Sequence, residues 1–136
     1  DLGCGAGTVG IMLASGGDCK SLTMVDVDAM AAACAAENAV RNSMADRTTV
    51  LNDDLYGMID GQTYEWIVSN PPFHEGNAVA HPLIEGAASH LSDAGRLALV
   101  VMRVNPYMKV LERVFTNARI LHQSQGYSVL VARHPR

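Results

Sequence analysis

Cysteine is scarce in this 136-residue chain, and the three present, Cys4, Cys19 and Cys34, are odd in number and lack metal-ligand spacing. A disulfide framework and a zinc centre are therefore not expected, and the set suits reduced thiols in a cytoplasmic protein. No apolar run reaches membrane-spanning length, and the start of the chain lacks the charged-then-apolar layout of a secretory signal. Basic residues are also in deficit, with 10 Lys and Arg against 14 Asp and Glu for a net charge of −4. That balance argues against a general nucleic-acid binder, because neutralising phosphates needs a basic surface. Local contacts stay open. Arg96, Arg103, Lys109, Arg113 and Arg119 crowd the last third of the chain, and they would meet a few phosphates if they shared one face. Otherwise they are scattered, solvated charges. Internal repeats, low-complexity segments and Pro/Gly/Ser-rich linkers are missing, as are a Ser-His-Asp order, a P-loop and a metal-ligand cluster.

What is present describes one globular domain, with 49% hydrophobic and 18% charged residues. Strands and helices alternate along it. Leu2 ends a first strand, Thr8 to Ser15 is a helix, Ser21 to Asp26 a strand, and Asp28 to Asn42 an alanine-rich helix capped by Asp28. Arg47 to Leu51 and Glu65 to Ser69 read as strands and Val79 to Leu91 as a helix. The turn "SDAG" leads to a strand from Arg96 to Met102, then a helix from about Pro106 to Phe115. Two final runs, "ARILHQ" and "YSVLVAR", flank Ser124-Gln125-Gly126 as a hairpin. Such alternation predicts an α/β fold: a mostly parallel sheet, helices on both faces, and an antiparallel strand from the terminal hairpin. Since the chain opens at Asp1 inside a strand-to-turn motif, residues 1–136 are expected to be a domain truncated within its first strand.

In open sheets of this kind ligands bind outside the carboxyl ends of the strands. "DLGCGAGTVG" opens that region and can be parsed in two ways. From Gly5 it spells G-x-G-x-x-G, the dinucleotide fingerprint. From Asp1 it reads acid-x-Gly-x-Gly-x-Gly, so that Gly3, Gly5 and Gly7 turn backbone towards a ligand and Asp1 stands near a cationic group. The second parse sets the tight turn directly after the strand and leaves Gly10 to helix packing. It makes nicotinamide binding the minor reading. Asp26 ends the next strand, where a carboxylate accepts from both hydroxyls of a ribose. Asp28 competes for that role but sits where a cap belongs. In the third loop Asp53 and Asp54 are either a turn-forming pair or acceptors for an adenine amino group. Asp54 is favoured for the latter because Leu55 follows and would pack on the adenine face.

The fourth strand stops at "SNPPFHEG". Proline has no backbone donor and a fixed φ, so Pro71 and Pro72 end the ladder and push Asn70 towards an extended conformation. D-L-G-C-G-A-G, V-D, D-D-L and N-P-P-F, in this order, resemble the class I S-adenosylmethionine-dependent methyltransferases that act on planar amino groups. N-P-P-F-H-E-G and the tail "PYMKVLERVF...GYSVLVAR" are similar, more narrowly, to the small-domain family of ribosomal RNA guanine-N2 methyltransferases.

The resemblance implies a Rossmann-like fold, S-adenosylmethionine as cofactor, RNA (ribosomal RNA or the small subunit) as partner, no metal and no membrane. It implies cofactor contacts at Asp1, Gly3, Gly5, Gly7, Asp26 and Asp54. The catalytic set is Asn70, Pro71, Pro72 and Phe73: the Asn70 side-chain carbonyl and the Pro71 backbone carbonyl accept the two N–H groups of the amine, Pro72 adds stiffness, and Phe73 stacks on the unstacked base. His74 is a further substrate contact or a loop residue, and Gly76 is punctuation. Core packing is expected for Trp66 and Tyr107. Two other readings stay open: an adenine or protein glutamine amide as acceptor, and a non-catalytic methyltransferase-like module that binds RNA.

Overall fold

The computed structural model describes residues 1–72 and 77–136. These pack as two units, Asp1–Ile59 and Asp60–Arg136.

In the first unit Leu2 bridges Val25 in parallel, and the backbone nitrogen of Asp1 donates to the Thr23 carbonyl at 2.8 Å. This short pairing takes the place of the expected first strand. Helix α1 (Thr8–Ser15) follows the glycine turn. Strand β1 (Leu22–Asp26) pairs in parallel with β2 (Thr48–Asn52), Asp26 opposite Asn52. Between them lie α2 (Ala29–Arg41) and a 3-10 turn, Ala45–Arg47. The buried residues of α2 are Ala32, Ala35 and Ala39. Their helical spacing puts a methyl-only stripe inward and lets the helix lie close to the strands. Ile11, Ala14, Met24 and Met44 complete that core.

In the second unit β3 (Tyr64–Ser69) runs parallel to β4 (Leu91–Val101). Then β4 pairs antiparallel with β6 (Tyr127–Pro135), which pairs antiparallel with β5 (Phe115–Ser124), giving the order β3-β4-β6-β5. The hairpin turn sits at Gln125 and Gly126, with φ of 50° and 82°, the positive values that a two-residue turn matching the strand twist requires. Helices α3 (Asn77–His90) and α4 (Val104–Val114) pack on each other. Leu83, Ile84, Leu97, Leu99, Leu111, Phe115 and Leu130 are fully buried. Tyr107 is buried as expected, and burial raises its phenol pKa.

Two sequence expectations are corrected here. "SDAG" does not precede the strand: residues 92–95 form a bulge within β4, where Glu65 alone stands opposite them. Gly95 is essential to it, since a Cβ there would lie 2.8 Å from the Ser92 carbonyl and 2.9 Å from that of Tyr64. Trp66 is not in the core. It is 51% exposed and carries the Arg96 guanidinium 5.4 Å from its ring centroid, a cation–π pair between directly opposed residues of β3 and β4.

Candidate active site

Asp26 ends β1 with its carboxylate half engaged. Oδ2 accepts the Gly5 N–H at 2.8 Å and Oδ1 the Asp28 N–H at 2.9 Å. A carboxylate offers about four lone-pair directions, so each oxygen retains one for a ligand. The same side chain therefore fixes the glycine turn and faces outward from it.

Gly3, Gly5 and Gly7 all adopt positive φ, 62°, 54° and 82°, which L side chains avoid. They differ in surroundings. A Cβ at Gly3 or Gly5 would meet nothing within 4 Å, whereas one at Gly7 would lie 2.8 Å from Met24 Sδ. Gly3 and Gly5 leave open room over bare backbone, and Gly7 packs α1 against the core. Gly10 does as expected: its Cβ position is 3.0 Å from Asp1 Cβ and 3.1 Å from Leu22 Cδ1. The Asp1 carboxylate accepts the Gly10 N–H at 2.8 Å.

Asp28 caps α2, accepting the Met30 N–H at 2.8 Å. In the third loop Asp53 is committed to the Met58 N–H at 2.5 Å. Asp54 is exposed, and among the described residues its carboxylate takes no hydrogen bond. Leu55, next to it, is held at φ 55°, a strained setting of the kind found at ligand clamps.

Asn38 has no sign in the sequence, and Asn52 is legible there only as a residue at a strand end. Asn38 on α2 donates to the Ala6 carbonyl at 2.9 Å. Asn52 donates to the carbonyls of Asp26 at 3.0 Å and Val27 at 2.9 Å. One pins the glycine turn and the other pins the loop carrying Asp26. Cys4 is buried, and its thiol pKa is pushed up to about 11, first by burial and then by the Asp26 charge. It is a packing thiol with little nucleophilic character.

In the second unit Asn70 stands just past the carboxyl end of β3, exposed between buried Ser69 and buried Pro71, and Pro72 is exposed. Among the described residues no hydrogen bond occupies the Asn70 side chain. Phe73, His74 and Gly76 lie outside the described residues. Among the described residues no set of His, Cys, Asp or Glu gathers as for a metal ion, and no helix is long and apolar enough to cross a membrane.

These features define a Rossmann-like methyltransferase fold. The chain superposes with a TM-score of 0.86 on a T. thermophilus 16S rRNA N2 guanine methyltransferase solved with AdoMet and guanosine, at 28% identity over 98% of this chain and 36% of that one. A ribosomal protein L11 methylase from Lactobacillus delbrueckii shares the fold, with a TM-score of 0.80 and 21% identity over 98% of this chain and 68% of that one. The chain belongs to the methyltransferase small domain family, whose profile matches residues 1–131. It is 36% identical to ribosomal RNA small subunit methyltransferase C of Sodalis glossinidius over 98% of its own length. It spans 39% of that relative. It is also 31% identical to protein YbxB of Bacillus subtilis, over 98% of this chain and 68% of that protein.

Proposed function

We propose that residues 1–136 are the methyltransferase domain of a cytoplasmic protein that transfers a methyl group from S-adenosylmethionine to the exocyclic amine of a guanine in ribosomal RNA. The observation that carries the chemistry is Asn70, an exposed amide at a strand end, held between buried Ser69 and buried Pro71. Support for guanine comes from the relatives named ribosomal RNA small subunit methyltransferase C and from the structural neighbour bound to AdoMet and guanosine.

The residues of the first unit fit the cofactor. Gly3 and Gly5 offer open backbone, Asp26 keeps one lone pair on each oxygen for the ribose hydroxyls, and Asp54 has a carboxylate available for the adenine amine. Asp1, tied to Gly10, supplies negative charge at the start of α1. When bound, S-adenosylmethionine supplies an electrophilic methyl group on a sulfonium.

The amine of a purine is a poor nucleophile because its lone pair is delocalised into the ring. The Asn70 side-chain carbonyl and the Pro71 carbonyl each accept one of its N–H groups, which favours a pyramidal nitrogen and localises the lone pair. Both acceptors are fixed beforehand by the two prolines, so they stabilise the positive charge that grows on nitrogen without reorganising. Phe73 stacks on the base and His74 contacts the base or a phosphate, once the nucleotide has left its helix.

The test is methyl transfer by the full-length protein from labelled cofactor to small ribosomal subunits, naked 16S rRNA, DNA and release factors in parallel. Label recovered as N2-methylguanine in rRNA is the expected result. Label in adenine or in a glutamine amide transfers the same chemistry to the other acceptors. No label in any, with RNA still bound, leaves a non-catalytic module.

A further inference from the structure

We propose that the groove between α3 and α4 is a binding site for a backbone phosphate of the RNA. The inference rests on the ribosomal RNA reading and adds a contact that the amine chemistry does not require. The groove holds a cavity of about 260 Å³ lined by His81, Asn105, Pro106, Lys109, Val110 and Arg113. That is below the roughly 300–1,000 Å³ of pockets that enclose drug-sized ligands, so it takes a small group.

Its lining is rich in donors. Arg113 Nη2 donates to Glu85 Oε1 at 2.6 Å and to His81 Nδ1 at 3.0 Å. A guanidinium carries about five N–H donors, and among the described residues those on Nη1 and Nε stay uncommitted. His81 Nδ1 also lies 3.9 Å from Glu85 Oε1, so the ring, the guanidinium and the carboxylate form one cluster. Asn105 adds an amide. Lys109 lies one helical turn before Arg113 on α4 and, among the described residues, makes no ion pair. Two cations at this spacing repel each other, and Glu85 answers only one. An anion seated between Lys109 and Arg113 would relieve that repulsion.

The other cations of the last third lie outside this groove, with Arg133 of β6 directly opposite Arg96 of β4. Arg96 is spent on Trp66, Arg103 precedes α4 at its cap, and Arg119 is on β5, exposed. A phosphate is the anion of choice, for planar N–H pairs from arginine and the point charge of lysine are the standard phosphate partners. Helices α3 and α4 follow β3 and β4 in the chain and start at the ends of those strands; Asn105 lies in the first turn of α4, and Lys109 and Arg113 follow it one and two turns further along the helix.

The experiment measures 16S rRNA affinity of the full-length protein across a salt series, for wild type, Lys109→Ala, Lys109→Glu and Glu85→Gln. S-adenosylmethionine affinity serves as the control for folding. A lysine that meets one phosphate gives a salt slope lower by about 1 for Lys109→Ala, with several-fold weaker binding whatever the RNA sequence. Lys109→Glu should bind more weakly still. Glu85→Gln should bind RNA more tightly, a gain that a purely structural Arg113–Glu85 bridge would not produce. Wild-type affinity and slope in both Lys109 variants, or weaker binding by Glu85→Gln, overturns the groove assignment while rRNA methylation by the wild type stands. Failure of the wild type to bind rRNA at all overturns both readings.

Discussion

Asp26 and Asp28 are two residues apart, and their geometry assigns them different work. Asp26 presents lone pairs to a ligand while holding Gly5, and Asp28 spends its carboxylate on Met30. Replacing Asp26 with Ala should weaken S-adenosylmethionine binding by about 1.5–3 kcal/mol, the scale of a charged hydrogen-bond partner. Asp28→Ala should instead cost about 0.5–2 kcal/mol of folding stability and leave that affinity near wild type. Calorimetric titration beside urea melts separates the two, and the reverse pattern would move the ribose contact to Asp28. At Asn70 the expected loss is in rate. If its carbonyl organises the amine chiefly in the transition state, Asn70→Ala lowers single-turnover methyl transfer by about 10²–10³ with little change in RNA affinity. Asn70→Asp keeps an acceptor and should keep partial activity. A near-wild-type rate for Asn70→Ala would reduce the residue to a strand terminator.

Among the elements, the β4 bulge makes the firmest prediction. Gly95 is pressed between two backbone carbonyls, which cannot swing away as a side chain can. Gly95→Ala should therefore destabilise the protein by about 1–3 kcal/mol, as overpacking does. A urea midpoint equal to wild type would mean that the bulge gives way at no cost. The same bulge marks the limit of what local sequence reveals. α1 was legible from Thr8 to Ser15, and most strands and helices to within a residue or two, because apolar spacing and caps are local signals. "SDAG" has turn chemistry, and nothing local tells a turn before a strand from a bulge within it. Trp66 misled for a related reason: its exposure depends on which face Arg96 shares with it across the ladder. The candidate site divides likewise. Asp26, the glycines and Asn70 announce themselves through motif and strand end, as does the position of Asn52, while the bonds that Asn38 and Asn52 make to carbonyls far away in sequence carry no local signature.

At the scale of the whole molecule, burial is the largest cause of each clear shift in side-chain acidity among the described residues, and it acts in one direction. Cys4 in the first unit has its thiol pKa raised to about 11. Tyr56 in the first unit and Tyr107 in the second have phenol pKa values raised by burial too. In each case the folded state holds a proton more tightly than the unfolded chain. The resulting stability is complete below the unfolded pKa and is lost as pH rises through the folded one. Cys4 titrates first, since an unfolded thiol ionises near about 8.5, so the decline attributable to it runs from about pH 8.5 to about 11. Urea melts over that range should show falling stability in the wild type, and Cys4→Ala should flatten the first part of the fall while tyrosine ionisation governs the rest. Alkylation provides a check in the native state. At pH 8 exposed Cys34 should react with iodoacetamide first and half-buried Cys19 next, and Cys4 only as fast as the chain opens. A Cys4→Ala variant that follows the wild-type curve throughout, or a Cys4 that labels as readily as Cys34, would mean that the thiol beneath the glycine turn ionises freely and that this turn is open to water.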